Sequence, residues 1–360
     1  MRLYFIQTAF FFLSLFFLEK IAKHIYRKIS KKRPLAHKAI RYLITCDDRA
    51  FGKFIPKSFG LYWNSGDYFV DGIRQTNPQG YRSPKSDLFE VQENIFRILV
   101  LGSSTTFSDH YSLDPNTSWP LQLENYLKHK GFPQIEVVNA GLNYATSAEL
   151  LSHYVFFATH LKPQLVIIDG PGNDFLPIAA GDITQDYSQT RKTMLLLPRR
   201  GEKIILKSNL VQLAYLYLVS INNMIILEPQ NYNHNTEDAN RKLISNYPKV
   251  FEGNIRVLAE LLRGQNIPLV LIDFLRPSKI QQFYPISWRG IESFDDKSHL
   301  IFKDIALENA AMHIKKEDFN FPDSAFMDSC HLSLEFERRK AEIVGEKLII
   351  ENKLANSKGV

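Results

Sequence analysis

The chain has 360 residues, 45% hydrophobic, 23% charged and 12% aromatic, with 17 glycines and 17 prolines. These globular proportions exclude a disordered, collagenous or low-complexity chain, and two distant cysteines, Cys46 and Cys330, exclude a disulfide framework and a cysteine-rich zinc cluster. The net charge of +6, taken alone, suggests a nucleic-acid partner.

The location of the charge removes that suggestion. Residues 1–41 hold ten basic side chains and one acid, Glu19, which is +9 and leaves −3 for the rest of the chain. A slightly acidic body with a basic head suits a membrane surface better than nucleic acid. Leu3 to Leu18 has 16 uncharged residues, seven of them aromatic. As a helix this stretch rises about 24 Å, short of a ~30 Å hydrocarbon core, and Lys20 can snorkel to extend it. A spanning signal-anchor is the first reading. A cleaved signal peptide and an interfacial or buried helix are the alternatives, and no small-x-small cleavage site follows the apolar run. The basic excess after the run biases the body toward the cytoplasm.

Residues 42–94 read as an extension packed on the main domain. Tyr62-Trp63-Asn64 and Tyr68-Phe69-Val70 have the composition of short strands, and Pro78-Gln79-Gly80 and Ser83-Pro84 that of turns. From Phe96 the pattern changes. Phe96–Leu101 is a compact apolar run ending at Gly102, as a buried parallel strand would be. Trp119–His129 has helical spacing. Ile135–Asn139 is a second strand ending in Ala140-Gly141. Ser147–Leu161 is helical, with Ser147 as cap and Glu149 in the first turn. Leu165–Asp169 is a third strand ending in Gly170-Pro171-Gly172. Asn254–Arg263 is a helix, Pro268–Asp273 a fourth strand, and Glu335–Glu351 a closing helix.

Strands alternating with helices predict a mostly parallel sheet covered on both faces. The small and polar clusters fall at the carboxyl ends of the strands, where such sheets place their ligands. Residues 175–245, basic at Arg191-Lys192 and Pro198-Arg199-Arg200, read as an insertion or helical cap. The division is therefore 1–41 anchor and basic segment, 42–94 extension, 95–352 main domain with the insertion, and 353–360 tail.

Four clusters carry chemistry. Ser104 follows a strand and a glycine, where its hydroxyl is raised above the sheet and its N–H is free of helical bonding. Asp328-Ser329-Cys330-His331 offers a base and a carboxylate to orient it, which a serine needs to become a nucleophile. Gly141 and Asn173 end strands and could add oxyanion donors to the Ser104 N–H. Each has an ordinary reading as a cap or turn residue; their order along the chain is what sharpens them.

That order resembles the SGNH (GDSL-type) hydrolase family, with Gly102-Ser103-Ser104-Thr105 as the first block, Asn139-Ala140-Gly141 as the second, Gly172-Asn173-Asp174 as the third, and Asp328 to His331 as the last. The resemblance implies a flavodoxin-like three-layer α/β/α fold with a five-stranded, mostly parallel sheet. It implies Ser104 as nucleophile, His331 as base, Asp328 as its partner, and Ser104, Gly141 and Asn173 as the oxyanion hole, without a metal or cofactor. The expected activity is ester hydrolysis on a small molecule, glycan or lipid. An O-acyltransferase using the same site and a non-catalytic binding protein are the alternatives. Two positions depart from the family pattern: Ser103 stands for the motif's acid, and Pro171 for a glycine, where a fixed φ and a missing N–H bear on the placing of Asn173. His110, Asp109 and Asp114 read as loop residues, and Cys330 follows no strand as a nucleophile would.

Overall fold

In the computed structural model the described residues are 14, 17–25, 69–70, 73–90, 94–108, 112–143, 145–170, 172–180, 187, 208, 210–211, 236–278 and 289–354. The chain divides into two compact units, one made of Met1–Cys46 with Thr190–Asn231 and the other of Asp47–Gln189 with Tyr232–Val360.

In the first unit, residues 17–25 are helical, with Phe17, Leu18 and Ile21 exposed. The Glu19 carboxylate accepts from the Ser208 hydroxyl at 2.8 Å and the Leu210 N–H at 3.1 Å. The N-terminal helix and part of the expected insertion thus belong together, a pairing that neither segment signals locally. Among the described residues no helix is long and apolar enough to cross a membrane. The expected anchor over residues 3–18 lies outside the described residues except at Ser14, Phe17 and Leu18.

The second unit is built on a five-stranded sheet. Its strands are β3 (Phe96–Gly102), β4 (Ile135–Gly141), β5 (Leu165–Asp169), β6 (Leu269–Ile272) and β7 (Met312–Ile314), preceded by the small antiparallel pair β1 (Phe69–Val70) and β2 (Ile73–Arg74). The large sheet runs β4-β3-β5-β6-β7, and every pairing in it is parallel. This is the flavodoxin-like order, reversing direction at β3.

Both faces of the sheet are covered. On β3, Leu99 and Leu101 point into one core and Ile98 and Val100 into the other, all fully buried. The first core takes α3 (Ser147–Phe156), α6 (Lys249–Gly264) and α7 (Arg289–Asn309); the second takes α2 (Trp119–His129) and α8 (Leu334–Ile350). Apolar side chains on both faces explain why β3, β4 and β5 read as continuous hydrophobic runs rather than alternating ones. Tyr81 and Leu88, from the segment before the sheet, are buried in the first core.

Some local expectations shift. The helix expected over Ser147–Leu161 stops at Phe156 and continues as a 3-10 turn over Ala158–Leu161. Its cap is Thr146 rather than Ser147, because the Glu149 carboxylate turns back onto the Thr146 N–H at 2.7 Å. Helices α4 (Phe175–Ala180) and α5 (Thr236–Ser245) pack with α7 through Ile178, Leu243, Ile291 and Phe294. The expected insertion 175–245 therefore contributes its two ends to the second unit. Tyr62-Trp63-Asn64 lies outside the described residues.

Candidate active site

The Ser104 position is built by the end of β3. A Cβ at Gly102 would meet Thr106 Oγ1 at 1.9 Å, so only glycine lets the chain turn directly into α1 (Ser104–Phe107). Ser103 O accepts from the N–H groups of Thr106 (3.1 Å) and Phe107 (2.9 Å), which closes the turn. Ser104 is half-buried at its first helical position, where backbone N–H groups have no intrahelical acceptor.

Opposite it, residues 326–332 form a tight loop. Phe326 and Leu332 make an antiparallel bridge, and Met327 N–H donates to His331 O at 2.8 Å. Asp328 Oδ1 accepts from the N–H groups of Cys330 (2.9 Å) and His331 (2.8 Å). The same carboxylate meets His331 Nδ1 at 2.8 Å through Oδ2, and His331 Nε2 lies 3.0 Å from Ser104 Oγ. The structure thus brings Ser104, His331 and Asp328 into one hydrogen-bonded chain across 227 residues of sequence.

Burial opposes charge on Asp328, but hydrogen bonds and the His331 charge outweigh it and hold the carboxyl well below its usual range. Burial also opposes the His331 imidazolium. The Cys330 sulfur, 3.6 Å from Nδ1, and the Asp328 carboxylate more than offset it, and the His331 pKa is pushed up to about 10.

Asn173 sits in a 3-10 turn after β5, half-buried, with Nδ2 donating to Ala145 O at 3.0 Å. An amide has two N–H donors, so one remains for another acceptor. Pro171 lies outside the described residues.

Gly141 ends β4 beside the turn that carries Ser104. Its N–H donates to the Asn139 side chain at 3.0 Å. A Cβ on it would lie 2.3 Å from the Phe107 backbone nitrogen. Gly141 therefore lets β4 pack against the turn at Phe107, with its N–H held by the Asn139 side chain. Asn139 completes that arrangement by donating from Nδ2 to Thr106 O at 2.8 Å.

The matched family model is that of the GDSL-like lipases and acylhydrolases, and it spans residues 98–342. The chain belongs to that family. As a GDSL-like member it is a hydrolase acting on ester bonds. Solved structures similar to it include a lipase/acylhydrolase from Enterococcus faecalis, at 12% identity and TM-score 0.45, covering 71% of this chain and 97% of that one. An acetylxylan esterase from Geobacillus stearothermophilus follows at 14% and 0.42, covering 70% and 94%. A GDSL-like lipase from Bacteroides thetaiotaomicron gives 16% and 0.39, covering 72% and 89%. No curated protein matches the chain. The assignment to the GDSL-like family rests on the family model alone.

Several supporting residues carry no motif of their own. Asp169, the last residue of β5, accepts from Thr106 Oγ1 (2.7 Å), Trp119 Nε1 (3.1 Å) and Lys340 Nζ (2.7 Å), so it ties the turn that carries Thr106 to α2 and α8. Glu337, one turn before Lys340, accepts the Trp119 N–H at 2.9 Å, and burial pushes its carboxyl up to about 7. Asp174 accepts from Ser147 N–H (2.8 Å), Ser147 Oγ (2.6 Å) and Tyr187 OH (2.9 Å), and burial raises it to about 7. Arg82, fully buried, donates to the carbonyls of Ser108 (3.2 Å) and Ser112 (3.0 Å) and pins the segment after Ser104. The only sequence signal for these residues is a charged side chain inside an apolar pattern, which does not say what it will meet.

Proposed function

We propose that this GDSL-like hydrolase cleaves its ester by nucleophilic catalysis from Ser104. Ser104 Oγ attacks the ester carbonyl while His331 Nε2 takes its proton. Asp328 holds the imidazole tautomer and stabilises the imidazolium that forms. The Ser104 N–H and the second N–H of the Asn173 amide donate to the tetrahedral oxyanion. The intermediate collapses, His331 gives the proton to the leaving alkoxide, and water then attacks the acyl-serine by the reverse proton path. The observation that carries this reading is the continuous relay from Ser104 Oγ through His331 to Asp328, at 3.0 and 2.8 Å.

The same relay favours a working enzyme over a binding protein that kept the fold, because hydrogen-bond reach between nucleophile and base is what catalysis requires. The substrate we propose is an O-acyl ester on a glycan or a lipid, with the enzyme held at a membrane by residues 3–18 and the basic segment behind them. The apolar, charge-free composition of residues 3–18 supports the tether, and the basic excess after it supports a cytoplasmic catalytic unit.

The test is a comparison of wild type and Ser104→Ala for p-nitrophenyl acetate hydrolysis and fluorophosphonate labelling. The variant is expected to lose both, with kcat down by about 10^4 or more. Full labelling of Ser104→Ala would overturn the assignment.

A further inference from the structure

A second cluster of chemically capable side chains lies on the β6–β7 side of the sheet, at the same carboxyl edge as Ser104. Asp273 follows β6, His313 is the middle residue of β7, and His299 is on α7. Asp273 Oδ1 lies 2.8 Å from His313 Nε2, and Oδ2 lies 2.7 Å from His299 Nδ1. One ligand atom from each residue falls within 4.8 Å of the other two. The sheet register sets His313 opposite Leu271, which brings the ring beside the end of β6. Phe302 packs edge-on against the His313 ring at 6.1 Å, and Lys316 N–H donates to Asp273 Oδ2 at 3.1 Å, so ring and carboxylate are held in place. The Asp273 and His313 side chains are 8% and 7% exposed, while His299, at 32%, opens the group to solvent.

We infer that Asp273, His299 and His313 form a binding site for a divalent transition-metal ion, and that Zn2+ is the ion they fit. Two imidazole nitrogens and one carboxylate oxygen are a zinc donor set, and a water completes four-coordination on the open His299 side. Mg2+ and Ca2+ want six or more oxygens, which this group does not offer. The hydrogen-bonded distances of 2.7 and 2.8 Å have to open by roughly 0.6 Å to hold a tetrahedral ion at about 2.0–2.1 Å from each ligand.

Binding requires each ring proton now directed at Asp273 to move to the outer ring nitrogen. For His313 that nitrogen is Nδ1, which is buried with no acceptor among the described residues. The usual outer-shell partner of a ligating histidine is thus missing there, which weakens affinity by about 10–100-fold relative to a fully supported site. The ion would join β6, β7 and α7. The next residue, Phe274, has its backbone nitrogen 2.6 Å from where a Cβ on Gly170 would be, and Gly170 begins the segment leading to Asn173. The site therefore braces the strand end beside the ester-cleaving centre without entering the reaction.

The test uses the full chain stripped with a chelator and titrated with zinc chloride alone, read by calorimetry and by thermal melting, with magnesium chloride as comparison. Wild type and Cys330→Ala are expected to take a single equivalent of zinc and to melt several degrees higher with zinc in excess. His299→Ala, at the most exposed of the three positions, and Asp273→Asn are each expected to bind at least tenfold more weakly, since even outer-shell changes cost that much. Magnesium should give neither heat nor a shift. No zinc uptake by wild type, unchanged uptake by His299→Ala, or loss of uptake only in Cys330→Ala would each overturn the assignment, the last by moving the ion to Asp328, Cys330 and His331.

Discussion

Replacing Lys340 by methionine tests the buried support beneath the nucleophile. Lys340 and Asp169 are each 3% exposed and lie 2.7 Å apart. The ammonium also sits 4.6 Å over the Trp119 ring. Methionine keeps most of the stem packing and removes the charge. Asp169 is then a buried carboxylate with two neutral donors, Thr106 Oγ1 and Trp119 Nε1. Removing one member of a buried pair costs about 3–5 kcal/mol. Because the two neutral donors remain, the lower end, about 3 kcal/mol, is expected. Denaturant unfolding followed by Trp fluorescence reads this as a lower midpoint at unchanged slope. Adding Asp169→Asn to Lys340→Met should recover much of the loss, since no uncompensated charge is then left inside. Fluorophosphonate labelling of Ser104 should also slow in the single variant, because Asp169 holds Thr106 in the nucleophile turn. A single-variant cost below about 1 kcal/mol, the value of an exposed pair, would refute the reasoning. So would a double variant that loses the sum of both single losses.

Three further outcomes are expected. Gly141→Ala keeps the backbone N–H but places a Cβ 2.3 Å from the Phe107 nitrogen. It should therefore melt lower and label poorly, by overpacking of about 1–3 kcal/mol or more; an unchanged melting temperature would count against this close packing. A general base must be neutral, and the His331 pKa is raised to about 10, so kcat/KM should climb as pH rises from neutral toward that value; Cys330→Ala removes one cause of the rise and should move the limb to lower pH, and a fixed limb would discount the sulfur. Removal of residues 1–41 should shift the enzyme from the membrane fraction to the supernatant with hydrolysis intact, and retention of the shortened chain in the pellet would count against the tether.

Much of the fold was legible because burial on both faces leaves a mark that a sequence can carry. Phe96–Leu101, Ile135–Asn139 and Leu165–Asp169 are uninterrupted apolar runs, and they form β3, β4 and β5. The three-residue β7 is too short to show such a run, and α7, whose residues 289–309 pack around His313 and Phe251, is masked by its mixed polar composition. The residue types that form the Ser104–His331–Asp328 hydrogen-bonded chain were likewise readable, because serine after a strand-end glycine and Asp-x-x-His before a helix are local patterns.

What the chain alone determined is therefore the order of strands and the candidates at their ends. Only the tertiary structure decided which candidates meet. It joined His331 to Ser104, gave the Gly141 amide to Asn139, and put Asp169 under Thr106 and Lys340. It also gathered Asp273, His299 and His313 from three separate elements. The physical reason is one of range. Propensity and periodicity act over a few residues, whereas a hydrogen-bond partner is chosen by how strands and helices stack, and that choice leaves no trace in the neighbouring sequence.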